Sequence, residues 1–274
     1  MKNKQNNYTT TTQKRAVARL MRDSDVKNKR GIYAHGDAIT RLYFTEDRAP
    51  HFGGLCKRLA SQKKPYNCVK SGEELEKLCG SVHHQGVVAM IPQPEIPRLS
   101  SDIVDRWIKN REHVLLLDRV GNANNLGAIV RSAVFFGIFN IVIPLDEAQS
   151  SITTSSYRVA QGGMEYVSLY TISSIPNLMK DLQGRMVRVG THVRARKTLD
   201  QLPKMADGKP LLLVLGNEEH GISQDVTDNC DELVRIPGKV FGKVKGDDMG
   251  TAVESLNVAQ AATLFLYEMS KLNN

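Results

Sequence analysis

Compact apolar runs recur between residues 113 and 237, and each is followed by a loop or a stretch with helical spacing. The runs are HVLLLD, NIVIP, RMVRVGT, PLLLVLG and ELVRIP. They are rich in Leu and β-branched residues and lack strict polar alternation, which is typical of strands buried on both faces of a parallel sheet. Helices are predicted to begin near Leu126, Ser223 and Leu256. We therefore predict an α/β domain in which helices cover a parallel sheet.

The N-terminal part of the chain has a different pattern. Between residues 31 and 92, the strand-like pieces RLYFTE and GVVAMI alternate with the helical patterns GGLCKRLASQ and SGEELEKLCG, which predicts a small α/β domain. The proline-rich stretch PQPEIP then predicts a linker over residues 93–111, followed by the second domain over 112–274. Residues 1–30 are polar and basic, and we expect them to be flexible, although AVARLM could form one helix.

Charge is distributed unevenly along the chain. Residues 1–112 contain 21 Lys and Arg against 12 Asp and Glu, a net charge of +9; the remaining residues contain 16 against 17, a net charge of −1, and the two sum to +8. A basic half joined to a neutral half indicates that one part attracts a polyanion such as nucleic acid. The alternative is a solvated basic tail, since nine of the cations fall in the first 30 residues.

Several other classes of protein are disfavoured by the sequence. No apolar run approaches the roughly 18 to 20 residues that cross a bilayer, and the N-terminus lacks the apolar core of a signal peptide, so we expect a soluble, cytoplasmic protein without a membrane partner. The four cysteines have no CxxC spacing, which favours reduced thiols. No HExxH spacing is present, so we expect no metal. A GxGxxG dinucleotide fingerprint is also lacking.

Three loops that follow predicted strands are rich in Gly, Asn and acidic residues. They are RVGNANNLGAIVR after LLLD, GNEEHGIS after LLLVL, and a long Gly/Lys loop that ends in ESLNVAQAA. Ordinary turn and helix-cap chemistry would explain each loop singly. In parallel sheets, however, ligands bind beyond the carboxyl ends of strands, so these loops are where chemistry is expected.

Taken together and in this order, the loops resemble the three motifs of the SPOUT superfamily, in its SpoU/TrmH branch of RNA ribose 2′-O-methyltransferases. The resemblance covers about residues 112–270. The residues that match are Asn125, Gly127, Arg131, Gly216, Glu218, Gly221, Ile236, Pro237, Ser255, Leu256 and Asn257. The segment HHQGVVAMI, residues 83–91, likewise resembles the end of the small RNA-binding domain that often precedes this catalytic domain.

The resemblance implies a knotted parallel-sheet domain with a trefoil knot, a homodimer formed through that domain, and S-adenosylmethionine as cofactor. It implies catalytic roles for Arg131, Asn125, Glu218 and Asn257. The residues it places around the cofactor are Thr191, Gly216, Asn217, Gly221, Ile236, Ser255 and Leu256. RNA, either rRNA or tRNA, is the implied substrate. A catalytically silent RNA-binding or assembly protein with the same fold is the alternative.

Arg131 interrupts an apolar helical face that it shares with Ala128, Val134 and Phe135, so its guanidinium must be buried or extend outward to solvent. In the resembled family the matching arginine is the proposed base for the ribose hydroxyl. Because arginine normally stays protonated, it could instead bind the substrate phosphate while another group takes the proton.

The segment Gly238 to Val253 is longer than the connection that such proteins usually have. Its four glycines and three lysines lead us to the hypothesis of a mobile lid over cofactor and RNA. The alternative is a tolerated surface insertion.

Overall fold

The computed structural model describes residues 14–17, 39–80, 82, 84–92, 95–146, 149, 152–217, 219–238 and 255–273. These residues form two compact units. One lies within residues 1–95 and 152–165, and the other within 96–151 and 166–274.

The strands and helices of the described residues are labelled in chain order. The strands are β1 Lys14–Val17, β2 Arg41–Thr45, β3 Tyr66–Val69, β4 Val87–Pro92, β5 Val114–Leu117, β6 Asn140–Pro144, β7 Ser168–Ile172, β8 Val187–Thr191, β9 Lys197–Thr198, β10 Leu211–Leu215 and β11 Glu232–Arg235. The helices are α1 Ala49–Ser61, α2 Gly72–Cys79, α3 Ser101–Asn110, α4 Ala123–Phe135, α5 Thr154–Ala160, α6 Ile175–Asp181, α7 Leu202–Ala206, α8 Gln224–Thr227 and α9 Val258–Ser270.

The first unit contains a small sheet with the strand order β1-β4-β2-β3. Helix α1 packs Phe52 and Leu55 against Leu42 of β2 in one buried cluster. Leu75 of α2 packs with Val88 of β4 in another. Both predicted strands and both predicted helices of this region are therefore present, with β3 as an additional strand between the two helices.

Strand β1 lies in the segment that was expected to be flexible, and it contains Ala16 and Val17 of the AVARLM stretch for which a helix was considered. It pairs antiparallel with β4, so Ala16 lies opposite Met90. The backbone of β4 would otherwise present unpaired N–H and C=O groups at the sheet edge. Edge pairing thus takes these residues into a strand.

The second unit contains a sheet with the strand order β7-β6-β5-β10-β8-β11-β9. Every pairing in this sheet is parallel. The five strands predicted from the apolar runs are all present, which confirms the α/β class and the parallel sheet. Helix α4 begins three residues before the predicted start, and α9 begins two residues after it.

Helices cover both faces of this sheet. Val114, Leu212 and Val214 belong to a buried cluster with residues of α3, α6 and α8. Alternate strand residues such as Leu115 and Leu213 point to the opposite face and are also fully buried. We infer that α4 and α9, whose buried side chains lie outside the first cluster, cover that face. A hydrogen bond of 2.8 Å between the Ser132 and Thr263 hydroxyls joins these two helices.

Helix α3 lies within the stretch predicted to be a linker. Its Val104 and Trp107 are buried in the core of the second unit, and the Trp107 ring contacts Tyr170 edge to face at 5.6 Å. Burial of a tryptophan side chain is among the largest apolar contributions that one residue can make. Residues 101–110 therefore belong to the second unit rather than to an extended connection.

An ion pair ties β8 to the turn before β11. Arg188 is 5% exposed, and its guanidinium donates hydrogen bonds to both carboxylate oxygens of Asp231 and to the Met179 carbonyl. The Arg188 backbone N–H also donates to Asp231, at 2.8 Å. These hydrogen bonds from Arg188 lower the pKa of the Asp231 carboxyl below its ordinary value of 3.8.

We expect Asp231→Asn to lower the free energy of unfolding at pH 7 by about 2–3 kcal/mol, because it leaves a buried guanidinium with reduced pairing. The folded pKa lies below the unfolded one, so the contribution is present at neutral pH and is lost as pH falls through the folded pKa. Urea unfolding at pH 7 and below pH 4 measures this difference, which should shrink in acid. Asp200→Asn, at an exposed position, is the control. Equal stability of Asp231→Asn and the unsubstituted protein at pH 7 would contradict the assignment.

Candidate functional site

The strands that precede the three loops singled out in the sequence all end at one edge of the large sheet. The loops follow β5, β10 and β11, and because the sheet is parallel the carboxyl ends of these strands face the same way. Strands β5 and β10 are direct neighbours, and β8 lies between β10 and β11. The loop after β8, which follows Thr191, therefore begins at the same edge.

Two asparagines connect the first motif to the third. Asn257 Nδ2 donates to Asn125 Oδ1 at 3.3 Å. Asn257 also caps α9, since its Oδ1 accepts from the Ala259 N–H at 2.9 Å, and Asn122 caps α4 in the same manner through Asn124. The two helices start side by side, and the Ser132–Thr263 bond farther along shows that they run parallel. Two residues 132 positions apart in sequence thus meet where the N-termini of α4 and α9 lie side by side.

The second motif forms a closed loop around Asn217. The backbone of Asn217 exchanges two hydrogen bonds of 3.0 Å with Gly221, and its Oδ1 accepts from the backbone N–H of Glu219 and His220. A Cβ atom at Gly216 would lie 2.1 Å from the Gly221 carbonyl carbon, so only glycine fits there. Gly221 has φ +67, the left-handed region that glycine adopts without strain.

Asp118 and Arg119 hold this loop in place, a role that sequence reasoning missed. The Asp118 carboxylate is buried, pairs with the Arg119 guanidinium at 2.8 Å and accepts from the Ser223 N–H at 3.0 Å. Asn217 Nδ2 donates to the Arg119 carbonyl at 2.9 Å. The end of β5 is therefore fastened to both ends of the loop after β10. An acidic residue directly after a fully apolar strand was the available signal.

Arg131 lies on the exposed face of α4, whereas Leu126, Ile129 and Val130 on the opposite face are fully buried. Phe135 is 81% exposed and continues the Arg131 face. The apolar face that Arg131 interrupts is thus open in a single chain. Among the described residues, the Arg131 guanidinium has neither a hydrogen-bond nor an ion-pair partner, so it forms no hydrogen bond to Asn125 or Asn257.

The residues expected around the cofactor are uncharged and sit at the same edge. Thr191 Oγ1 donates to the Val214 carbonyl at 3.1 Å, which joins the ends of β8 and β10. Ile236 directly follows β11, and Ser255 and Leu256 precede α9. Leu256 is 46% exposed and offers apolar surface. An uncharged, partly apolar set suits a cofactor that carries its own positive sulfonium charge, so these residues fit S-adenosylmethionine.

Some predicted features fall outside the described residues. Glu218, predicted to be catalytic, is one of them, and so are residues 239–254, which contain most of the proposed lid. Within the described part of the chain, no group of three or more His, Cys, Asp or Glu is arranged to hold a metal ion. Across the same residues, no helix has the length and apolar character needed to span a membrane.

Comparison with models of known protein families shows to which family the chain belongs. Residues 112–267 match the model of the SpoU rRNA methylase family, more than half of the chain. The chain belongs to the SpoU rRNA methylase family. Residues 32–97 match a second model, described as RNA 2′-O ribose methyltransferase substrate binding. Both predictions of resemblance are thereby confirmed.

Named SpoU relatives cover much of the chain. A 23S rRNA (guanosine-2′-O-)-methyltransferase from Nitrosomonas europaea is 28% identical over 85% of this chain and 84% of its own length. A protein from Mycobacterium avium that is named as an uncharacterized tRNA/rRNA methyltransferase is 32% identical over 72% of this chain, which spans 60% of that longer protein. The crystal structure of the SpoU methyltransferase AviRb from Streptomyces viridochromogenes, in complex with AdoMet, superposes with a TM-score of 0.68 at 21% identity, over 97% and 93% of the two chains. It shares the fold.

We expect Asn217→Ala in this SpoU protein to weaken S-adenosylmethionine binding about tenfold, because the loop loses the three side-chain bonds that pre-organise it. Isothermal titration calorimetry measures the dissociation constant. Gln224→Ala, which removes only an exposed bond to Asp228, is the matched control and should bind normally. Unchanged affinity in Asn217→Ala would show that the loop keeps its shape without the asparagine.

Proposed function

We infer that this chain transfers the methyl group of S-adenosylmethionine to a ribose 2′-hydroxyl of RNA. The observation that carries the proposal is the meeting of Asn125 and Asn257 at the carboxyl edge of a parallel SpoU-type sheet. Two motifs far apart in sequence share a single small polar site there. Family membership supports the same chemistry.

We propose ribosomal or transfer RNA as the substrate. The Nitrosomonas europaea relative is named for guanosine methylation of 23S rRNA. The match of residues 32–97 to a substrate-binding model and the net charge of +9 over residues 1–112 support an RNA-binding role for the N-terminal part. A cytoplasmic location is consistent with such a substrate.

The proposed reaction needs a methyl donor, a correctly positioned ribose hydroxyl and a group that takes up its proton. S-adenosylmethionine, when bound, supplies a methyl group on a positively charged sulfur. The protein must hold the ribose hydroxyl in line with that methyl and provide for loss of its proton. Asn125 and Asn257 each offer a donor and an acceptor, which suits orientation of the ribose without added charge. We assign Thr191, Gly216, Asn217, Gly221, Ile236, Ser255 and Leu256 to the cofactor.

Arg131 is proposed to bind the RNA phosphate beside the target ribose and to stabilise the charge that develops on the 2′-oxygen. Its exposed guanidinium is available to a substrate, and a protonated arginine forms strong hydrogen bonds to phosphate oxygens. Proton acceptance then falls to another group, and we propose Glu218, one of the residues for which the resemblance implies a catalytic role.

We expect Arg131→Ala to reduce methyl transfer at least a hundredfold while the dissociation constant for S-adenosylmethionine stays within a few-fold, because we place Arg131 at the RNA. The assay is transfer of labelled methyl to in vitro transcribed ribosomal RNA and transfer RNA. Lys180→Ala removes an exposed cation elsewhere and should keep full activity. Retained activity in Arg131→Ala would remove it from the mechanism.

The same assay separates the enzyme from the catalytically silent alternative. An RNA-binding or assembly protein would bind RNA but transfer no methyl group from S-adenosylmethionine. Methyl transfer by the unsubstituted protein, mapped as 2′-O-methylation, would exclude that alternative.

We further propose that the chain forms a homodimer through α4 and α9. Phe135, Leu264 and Tyr267 are exposed by 81%, 39% and 50% on these parallel helices, and the Phe136 and Tyr267 rings lie 5.9 Å apart. An exposed aromatic surface formed by two adjacent helices is typical of an interface between protein chains. Because Arg131 shares the Phe135 face, such a dimer would place a partner subunit next to it. We also propose that the second domain contains the trefoil knot that the resemblance implies.

We expect Phe135→Asp to convert a dimer into a monomer, since a charge buried at a chain interface is strongly unfavourable. Analytical ultracentrifugation should give twice the 30.5 kDa chain mass for the unsubstituted protein and a single chain mass for the variant. Val82→Asp, at a 62% exposed position of the first unit, is the control. A dimer that survives Phe135→Asp would contradict this interface.

A further inference from the structure

The loop after β8, residues 192–196, carries exposed cations, and β8 lies between β10 and β11 in the sheet. Its sequence continues as HVRARK, so Arg194, Arg196 and Lys197 provide three cations within four residues and no acidic residue. The part of the chain from residue 113 onward has a net charge of only −1. The positive charge of this loop is therefore a local feature, because the domain as a whole is not basic.

The loop is held by its surroundings on both sides. Thr191 and Lys197, which flank it, both pair in register with Val234 of β11. The His192 N–H donates to the Val234 carbonyl at 2.9 Å. A five-residue loop whose two ends are fixed to one residue has little conformational freedom left.

Contacts inside the loop fix its shape further. The Ala195 N–H donates to the His192 carbonyl at 3.0 Å, and the Arg194 N–H donates to His192 Nδ1 at 3.1 Å. Ala195 is 8% exposed, so it anchors the loop while the residues on either side of it, Arg194 and Arg196, point to solvent. The two guanidinium groups are thus carried on a formed turn.

The two arginines differ from the cations around them. Lys197 forms an ion pair with Glu232, and Arg119 forms one with Asp118. Among the described residues, the guanidinium groups of Arg194 and Arg196 have neither a hydrogen-bond nor an ion-pair partner. Exposed arginines are common and can simply be solvated. An unpaired pair on a rigid turn beside a reaction site is better matched to an anion from outside the chain.

The position of the loop identifies that anion. Strand β8 lies between β10 and β11, so the loop begins about 5 Å, one strand spacing, from the ends of the strands that lead to Asn217 and to Ile236. The proposed substrate reaches this edge with a phosphate on each side of the target ribose. We propose that Arg194 and Arg196 bind RNA backbone phosphates next to the nucleotide that is methylated, an inference that rests on the proposed function.

The test uses the full chain and the double substitution Arg194→Ala/Arg196→Ala. We expect the KM for in vitro transcribed ribosomal or transfer RNA to rise about tenfold or more, with the dissociation constant for S-adenosylmethionine unchanged. The slope of log binding constant against log salt, measured by fluorescence anisotropy with labelled RNA, should fall by about 1.4, because each lost phosphate contact removes about 0.7.

The matched control is Lys180→Ala/Lys204→Ala, which removes the same charge from exposed positions on α6 and α7. It should leave KM within about twofold and change the salt slope much less. Equal effects of the two double variants would mean that the loop acts only through the general field of the protein, and would overturn the proposal. A weaker S-adenosylmethionine affinity in the arginine variant would do the same, since the loop would then serve the carboxylate of the cofactor.

The conservative variant Arg194→Lys/Arg196→Lys separates charge from geometry. It should keep the salt slope and lose part of the RNA affinity, because lysine cannot form the two parallel hydrogen bonds of a guanidinium. Failure of the unsubstituted protein to methylate any RNA would refute the proposed reaction. The anisotropy titration would still decide whether this loop binds RNA phosphates.

Discussion

Parallel pairing of the central strand β10 with β5 and β8 is the constraint on which the site depends. All five residues of β10 are buried, and its register with both neighbours is set residue by residue, from Leu212 opposite Val114 to Val214 opposite Gly190. A slip of one residue would turn the strand's side chains to the other face. Because the pairing is parallel, it brings the ends of three strands to one edge, where the loops that follow can meet.

A buried carboxylate at that edge connects the paired strands to the loops that follow them. Asp118 follows β5 directly, and its N–H donates to Leu215 at the end of β10. A buried carboxylate requires partners, which Arg119 and the Ser223 N–H supply. Those partners lie just after β5 and at the end of the second motif, so satisfying one buried charge also fixes the loop of Asn217. Stability and site geometry are coupled at this residue.

The sequence predicted the elements that are locally uniform. Strands β5, β6, β8, β10 and β11 appear as short apolar runs, and their parallel arrangement follows from burial on both faces. Strand β7 was missed because Ser168 and Thr171 interrupt its apolar residues. Helix α3 was missed because charged residues separate Val104 from Trp107 and prolines precede it. In both cases the surrounding fold, rather than the local pattern, decides the structure.

Long-range contacts account for what sequence reasoning could not reach at the site. The motif resemblance implied that Asn125, Asn217 and Asn257 belong to one site, but the bond from Asn217 to the Arg119 carbonyl joins residues 98 positions apart. Nothing in either segment alone indicates that contact. Arg131 illustrates a different limit. A helical pattern shows which residues share a face, and it does not show whether the same chain or another molecule covers that face.

A site that binds a sulfonium cation beside a polyanion must separate two electrostatic demands. A guanidinium against the sulfonium would be repelled by it, whereas RNA requires cations nearby. The structure separates these demands by position. The residues assigned to the cofactor are Thr, Gly, Asn, Ile, Ser and Leu, and the positive charge near them is either neutralised, as in Arg119 with Asp118, or carried outward on the loop of Arg194 and Arg196. Positive charge at the rim can therefore attract RNA while the cofactor side remains uncharged. Under the proposed function, the same separation accounts for action on a polyanion by a domain with a net charge of −1.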